Sequence, residues 1–340
     1  MTSTFKRVNG TLLLDNSYPA LARAVSIIRR GGLVAFPTET VYGLGASATD
    51  SNAVNNIFLA KGRPSDNPLI VHISSINQLT NIARDIPETA FLLAEKFWPG
   101  ALSIVLTRSE IIPPEVSAGL RTVAVRMPDH KVALDLIRMS GVPIAAPSAN
   151  RSGRPSPTSY RHVLEDLAGR IDAVIKDDDC SIGVESTVID LSGPVPVILR
   201  PGGVSREELE SVLKLNVKVS APLFREGIPS SPGMKYRHYS PKAPLILVTG
   251  DETRRMHFAE KIADCYRRKG QRVGILNTFC ESGRPDLNRL RIIASRLYRE
   301  LRILDQQNVD IIIVQATSSG GIGLAVMNRL RKAAARIIKV

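Results

Sequence analysis

Residues 20–60 read ALARAVSIIRRGGLVAFPTETVYGLGASATDSNAVNNIFLA. Apolar side chains recur at Leu21, Ala24, Val25, Ile27 and Ile28 with arginine on the other face, and Gly31 and Gly32 follow. That spacing predicts a helix with a glycine stop. Residues 33–36 then read as a short buried strand running into PTET, and Asp50 or Ser51 is placed to cap a helix through Ile57 to Ala60. Strand, loop and helix in this order are the rhythm of an α/β protein.

Working outward, the same alternation predicts strands near 69–73, 102–106, 123–126, 142–146, 173–176, 186–190 and 197–199. Helices fall near 88–97, 132–139, 161–167 and 206–213. Residues 217–243 lose periodicity and are rich in proline, serine and glycine, so they read as a linker, either a passive tether or a lid. Its MKYRHYSP segment has more aromatic and basic character than a mere spacer needs. The pattern then restarts: strand 245–248, a helix to 269, strand 271–276, a helix with Leu287, Leu290, Ile293, Leu297, Leu301 and Leu304 on one face, strand 311–314 and a last helix. This is a small β-α-β-α-β-α domain with a parallel sheet. The expected division is 1–216, 217–243 and 244–340.

The totals agree with two domains: 340 residues, 44% hydrophobic and 23% charged. No apolar run approaches the roughly 18 residues of a membrane span, and the first residues lack the pattern of a secretory leader, so a cytoplasmic address is expected. Cys180, Cys265 and Cys280 are widely spaced with no CxxC pair, and the histidines form no HExxH, which argues against disulfides, zinc and a protein-built metal cage. The net charge of +13 suits polyanionic partners, and +9 of it lies in 244–340, where 18 Lys and Arg face 9 Asp and Glu. Surplus solvated surface charge gives the same excess.

Several loops carry the chemistry. VPIAAPSANRSGRPSPT, residues 142–158, is an apolar strand ending in small hydroxyl and amide residues, Ser148, Asn150, Ser152 and Ser156, with Arg151 and Arg154. It offers unhindered backbone N–H groups and positive charge to an anion, or it is a surface connection. PTETVYGLGA puts Thr38, Thr40 and Tyr42 in a turn at a strand end, and KGRPSDNPL concentrates Lys61, Arg63, Ser65 and Asn67, a group able to clamp phosphates. RTVAVRMP places Arg121, Thr122 and Arg126 around a short buried strand, where Arg126 needs a carboxylate or phosphate, supplied by a ligand or by an internal salt bridge. No GxxxxGK[ST] loop occurs, and Gly320, Gly321 and Gly323 read as close strand-to-helix packing rather than a dinucleotide fingerprint.

Taken together, PTETVYGLGA, KGRPSDNPL, TVAVRMP, APSANRSGRPSPT, GVESTVID and the Arg200 of ILRPGG resemble, in order and spacing, the YrdC-like domain. GIGLAVMNRLRKAA and SPGMKYRHYSP resemble the longer members with an extra C-terminal domain, the L-threonylcarbamoyladenylate synthases. The resemblance runs from about residue 20 to near the end of the chain. It implies an N-terminal YrdC-like twisted open α/β sheet with a concave basic cleft, followed by a small Rossmann-like three-layer α/β domain. It further implies that L-threonine, bicarbonate or CO2, and ATP with Mg2+ give the adenylate and pyrophosphate, which feed a tRNA modification through partner proteins.

By similarity, Thr38, His72, Arg126 and Ser186 would hold threonine. Lys61, Arg63, Ser65, Thr122, Ser148, Asn150, Ser156, Arg200 and Tyr239 would hold the nucleotide, with Lys61 and Arg63 acting in catalysis. His72, on an expected strand, equally suits a satisfied core position. Carbamates lose CO2 in water, so a lid around Tyr236, His238 and Tyr239 is expected to exclude solvent. The competing reading is a non-catalytic protein that binds double-stranded RNA or tRNA. An aromatic content of 5% speaks against base stacking, and clustered Thr, Ser and Asn point to a small ligand. A third reading, carbamoyl transfer as in hydrogenase maturation, lacks the acylphosphatase and zinc-finger-like segments that accompany it.

Overall fold

Where the first helix, Tyr18–Arg29, ends, Gly31 adopts φ +78° and lets the chain turn into the strand Val34–Phe36. Asp50 caps the next helix, Ser51–Lys61, its carboxylate accepting from the amides of Asn52 and Ala53 at 2.9 and 3.1 Å. Lys61 is therefore the last residue of a capped helix, and its position is set by that helix.

The structure is a computed structural model and describes residues 5–220, 224–225, 228–229, 238–276 and 287–340. The chain forms two units, Met1–Ser152 with Ser156–Lys235, and Gly153–Pro155 with Tyr236–Val340.

In the first unit the strands are β1 (Lys6–Val8), β2 (Thr11–Leu14), β3 (Val34–Phe36), β4 (Gly43–Ser47), β5 (Ile70–His72), β6 (Ala83–Arg84), β7 (Leu102–Arg108), β8 (Thr122–Arg126), β9 (Ile144–Ala145), β10 (Ala173–Ile175), β11 (Thr187–Asp190), β12 (Val197–Arg200) and β13 (Lys218–Val219). They join one mixed sheet in the order β1-β2-β10-β3-β4-β9-β5-β8-β7-β11-β12-β13, with β6 against β7. The β1–β2 hairpin was not expected from the sequence, nor were the antiparallel partners β3–β4, β4–β9 and β7–β8. Alternation divides the core. Val34, Phe36, Ala173 and Ile175 face the helices Tyr18–Arg29 and Lys131–Ser140, while Ala35 and Val174 belong to the larger core on the other face.

β14 (Phe224–Arg225) and β15 (Ile228–Pro229) are a separate short ladder of the first unit. In the second unit β16 (Leu245–Thr249), β17 (Val273–Leu276), β18 (Ile311–Gln315) and β19 (Arg336–Lys339) form a parallel sheet in the order β17-β18-β16-β19. The final strand, β19, was not foreseen. Ile246, Val248, Ile311 and Ile313 pack on Ala259 and Ala263 of the helix Glu252–Arg268. Gly323 opens the last helix, Gly323–Ala333, where a Cβ would lie 2.1 Å from the Ser318 carbonyl oxygen, so it is a packing glycine. Residues 238–242 are tied down within this unit. Tyr239 stacks on Tyr298 at 5.6 Å, Arg329 lies 5.2 Å from the Tyr239 ring, and the Lys242 amide donates to Asp305 at 2.8 Å. Cys180 is a buried and Cys265 an exposed free thiol; Tyr236 and Cys280 lie outside the described residues.

Candidate active site

The half of the first sheet formed by β5, β8, β7, β11 and β12 differs on its two faces. On one face Val71, Ile104, Val123 and Ile189 join the large core; on the other Ile70, Val105, Ala124, Val188 and Leu199 form a small cluster containing no helix residue. Polar side chains bracket that apolar strip. Two residues beyond Ile70 and Ala124 along the same face stand His72 and Arg126, which are register partners. Ser103, two before Val105, continues the row. At the other end of β8, Thr122 pairs with Thr107. Arg126 and Thr122 are four residues apart on one strand face, about 13 Å.

The turn following β3 crosses the Arg126 end. Thr38 Oγ1 accepts from the amides of Thr40 and Val41, both at 3.2 Å, and lies 2.9 Å from Thr40 Oγ1. The amides of Ile182 and Gly183 donate to the carbonyls of Glu39 and Thr40, Tyr42 N–H to Pro157, and Ala149 N–H to Tyr42. One turn thus stitches the 147–157 loop and the 182–183 loop together. Arg126 is 4% exposed and uses Nε on the Gly100 carbonyl at 3.1 Å and Nη1 on Thr40 Oγ1 at 2.9 Å; its Nη2 lies 2.6 Å from Glu39 Oε1. The partner Arg126 required is therefore the internal carboxylate of Glu39. Its charge, after burial, helps hold the neighbouring His72 down to about pKa 3, and His72 Nδ1 lies 3.2 Å from the Ile70 carbonyl oxygen. His72 is a neutral, buried group.

Lys61 is buried with its Nζ donating to the carbonyls of Ser148 and Asn150. Burial, then the charge of Arg63, push its pKa well below the ordinary lysine value against a smaller opposing effect of Asp166. Ser148 Oγ donates to Asn150 Oδ1 at 2.5 Å, and Arg63 Nη2 donates to the carbonyls of Asn67 and Pro68 at 3.1 Å each. Because Ile70 is the register partner of Ala124, the Asn67–Pro68 turn that Arg63 binds lies toward Thr122. Ser65 is exposed. Arg200, 4% exposed, donates Nε and Nη2 to the Ser186 carbonyl at 3.2 and 2.9 Å, and Ser186 Oγ lies 2.8 Å from Ser103 Oγ. Ser156 donates to Glu185 Oε1 at 2.6 Å.

The first unit thus gathers Thr38, His72, Arg126 and Ser186 around one end of the strip, and Lys61 with Ser148 and Asn150 in one hydrogen-bonded group. Tyr239 belongs to the second unit, its ring held by Tyr298 and Arg329. Sequence reasoning passed over Glu39, Ser103 and Glu185. Glu39 stands inside the quoted PTET, but nothing local in the sequence pairs it with Arg126.

A mixed sheet whose polar-rimmed face gathers hydroxyls, guanidinium groups and a buried lysine is the architecture of an α/β domain for small anionic ligands. Residues 26–202 match the family described as telomere recombination, which joins Sua5, YciO and YrdC, and residues 204–335 match the threonylcarbamoyl-AMP synthase C-terminal domain. The chain belongs to the Sua5, YciO and YrdC family. It is 49% identical over 327 residues to threonylcarbamoyl-AMP synthase of Pyrococcus abyssi, covering 93% of this chain and 95% of that one. It is 47% identical to the enzyme of the same name in Bacillus subtilis, covering 96% of each. The crystal structure of P. abyssi Sua5 complexed with L-threonine superposes with a TM-score of 0.91 at 46% identity, over 97% of this chain and 100% of that one.

Proposed function

We propose that this chain is a threonylcarbamoyl-AMP synthase, an enzyme that joins L-threonine, bicarbonate or CO2, and ATP into threonylcarbamoyl-AMP and pyrophosphate. The names of its relatives support the reaction, and the L-threonine in the Pyrococcus structure supports a small ligand over the RNA-only reading. The observation that carries it is the strip between Arg126 and Thr122, roughly 13 Å long by strand rise, which suits an amino acid at one end and a triphosphate at the other.

In this reading Arg126 takes the threonine carboxylate through its guanidinium edge, with Thr38, His72 and Ser186 around the side chain and amine. Lys61, Arg63, Ser65, Thr122, Ser148, Asn150, Ser156 and Arg200 hold the nucleotide. Lys61, Arg63 and Arg200 now donate to main-chain carbonyls. A phosphate oxygen adds opposite charge and, for arginine, a bidentate acceptor, so binding draws these cations onto the ligand. The carbamate oxygen attacks the α-phosphorus, pyrophosphate leaves, and Lys61 and Arg63 offset its charge; orientation and electrostatics suffice without a covalent nucleophile. In this reading Mg2+ enters with ATP and shields the triphosphate. Among the described residues no helix is long and apolar enough to cross a membrane. The reaction belongs in the cytoplasm, and its product passes to the protein that transfers the threonylcarbamoyl group to tRNA.

Pyrophosphate release measured with each substrate omitted in turn tests the reading. Release should require L-threonine, bicarbonate and ATP together; RNA binding without threonine-dependent release would overturn it.

A further inference from the structure

A free amine, not an ammonium, must attack CO2 for a carbamate to form, so the reaction needs a proton acceptor beside the amino group. Glu39 is buried, and neither of its carboxylate oxygens receives a hydrogen bond in the structure. Its ion-pair partner is Arg126, whose Nη2 lies 2.6 Å from Oε1 but off the hydrogen-bonding directions. More than nine in ten buried polar groups are satisfied, so a carboxylate left this way has acceptor capacity held in reserve. Its backbone is fixed, the Glu39 carbonyl accepting from Ile182 N–H at 2.8 Å.

Three other site groups that could take a proton are spoken for. His72 is pushed down to about 3 by burial and by Arg126, Lys61 is held by two carbonyls, and Glu185 accepts from Ser156. Arg126 is committed to Gly100 and Thr40 at its other nitrogens, so a ligand carboxylate has the Nη2 edge to bind, the edge Glu39 now occupies. In an α-amino acid the nitrogen is one carbon away from the carboxyl group. A threonine carboxylate on Arg126 therefore displaces the Glu39 oxygen and leaves it facing the ammonium.

We propose that Glu39 is the catalytic proton acceptor for carbamate formation, and that the Arg126–Glu39 pair is opened by the zwitterionic substrate, arginine taking its carboxylate and glutamate its ammonium. This rests on the threonylcarbamoyl-AMP synthase reading. Glu39 takes one proton from the ammonium, and the nitrogen lone pair bonds the carbon of CO2 while a C–O π pair moves to oxygen. Bicarbonate, in yielding that CO2, leaves a hydroxide that takes the second N–H proton as water. Threonine ammonium, bicarbonate and glutamate thus become threonine carbamate, water and glutamic acid, with atoms and charge conserved; the glutamic acid returns its proton to solvent.

The test compares two directions. The forward rate, pyrophosphate release from threonine, bicarbonate and ATP, includes amine deprotonation; the reverse rate, ATP formation from threonylcarbamoyl-AMP and pyrophosphate, reaches ATP before the carbamate breaks down. In Glu39→Gln the forward rate should fall about 100-fold or more, as for loss of a general base, and at least about tenfold further than the reverse rate. Glu39→Asp, which withdraws the carboxylate by one methylene, should show the same bias to a smaller degree and covers the case in which the glutamine variant does not fold. Equal loss in both directions in each variant that folds, or an unchanged forward rate, overturns the role of Glu39. Absence of threonine-dependent pyrophosphate release in the unaltered protein would instead remove the reading on which it rests.

Discussion

Arg126 shows how little room a single position leaves. Its guanidinium meets a carbonyl, a hydroxyl and a carboxylate at three edges, which a lysine ammonium cannot reproduce. Arg126→Lys should raise the Kd for L-threonine about 10- to 100-fold, roughly 1.4–2.8 kcal/mol, by isothermal titration calorimetry. Arg126→Ala should in addition destabilise the fold by about 3–5 kcal/mol, because Glu39 is left charged and buried. His72 makes a pH prediction. Its folded pKa, about 3, lies below the ordinary 6.5, so between these values the unfolded chain binds a proton the folded one does not. Its share of stability is intact above pH 6.5 and drains away as pH falls toward 3. In His72→Asn the drop in urea midpoint between about pH 7.5 and about pH 4.5 should shrink relative to the unaltered protein. At this scale the buried arginine was legible, because a charged residue in TVAVR must find a partner. Glu39 was not, since a carboxylate in a polar turn looks solvated until the fold buries it.

Between residue and molecule, the loop after β12 shows an element set by close approach. A Cβ on Gly202 would lie 2.2 Å from the Ser186 carbonyl carbon and the Thr187 nitrogen, which are backbone and cannot swing away. Gly202→Ala should therefore prise this loop from the start of β11, costing about 3 kcal/mol in chemical denaturation. It should also weaken L-threonine binding, because Ser186 is displaced from Arg200 and Ser103. An unchanged denaturation midpoint would show that the loop yields without cost. The helices were legible because their apolar positions keep a 3.6 period, and most strands because they are short continuous apolar runs bounded by turn residues. The β1–β2 hairpin and β19 were not. Lys6–Val8 and Arg336–Lys339 are short, largely exposed strands, and the sheet neighbours that fix β2 and β19, namely β10 and β16, are distant in the chain. The antiparallel insertion of β4 and β9 into the sheet is likewise a matter of long-range register that no local pattern encodes.

For the whole molecule, the consequential fact is that Gly153–Pro155 belongs with Tyr236–Val340, although it lies inside the loop that carries Ser148, Asn150 and Ser156. Arg302, 2% exposed, donates to the Pro155 carbonyl at 2.6 Å, and Ser240 N–H donates to the Gly153 carbonyl at 2.8 Å. A chain ending at residue 216 lacks both donors, so this loop must find water or disorder for two carbonyls now bonded to protein. The threonine end is built differently. Thr38 donates to Val41, Arg126 donates to Gly100 and Thr40, and His72 Nδ1 contacts the Ile70 carbonyl, all of the first unit. Truncation should therefore separate the two substrates: the 1–216 fragment, where it folds by circular dichroism, should bind L-threonine within about fivefold of the full chain yet lose at least about tenfold in ATP affinity, a difference of about 1.4 kcal/mol. Arg302→Ala in the full chain should shift ATP affinity in the same direction without touching threonine. If both substrates weaken equally in the fragment, the hydrogen bonds to the Gly153 and Pro155 carbonyls do not set ATP affinity.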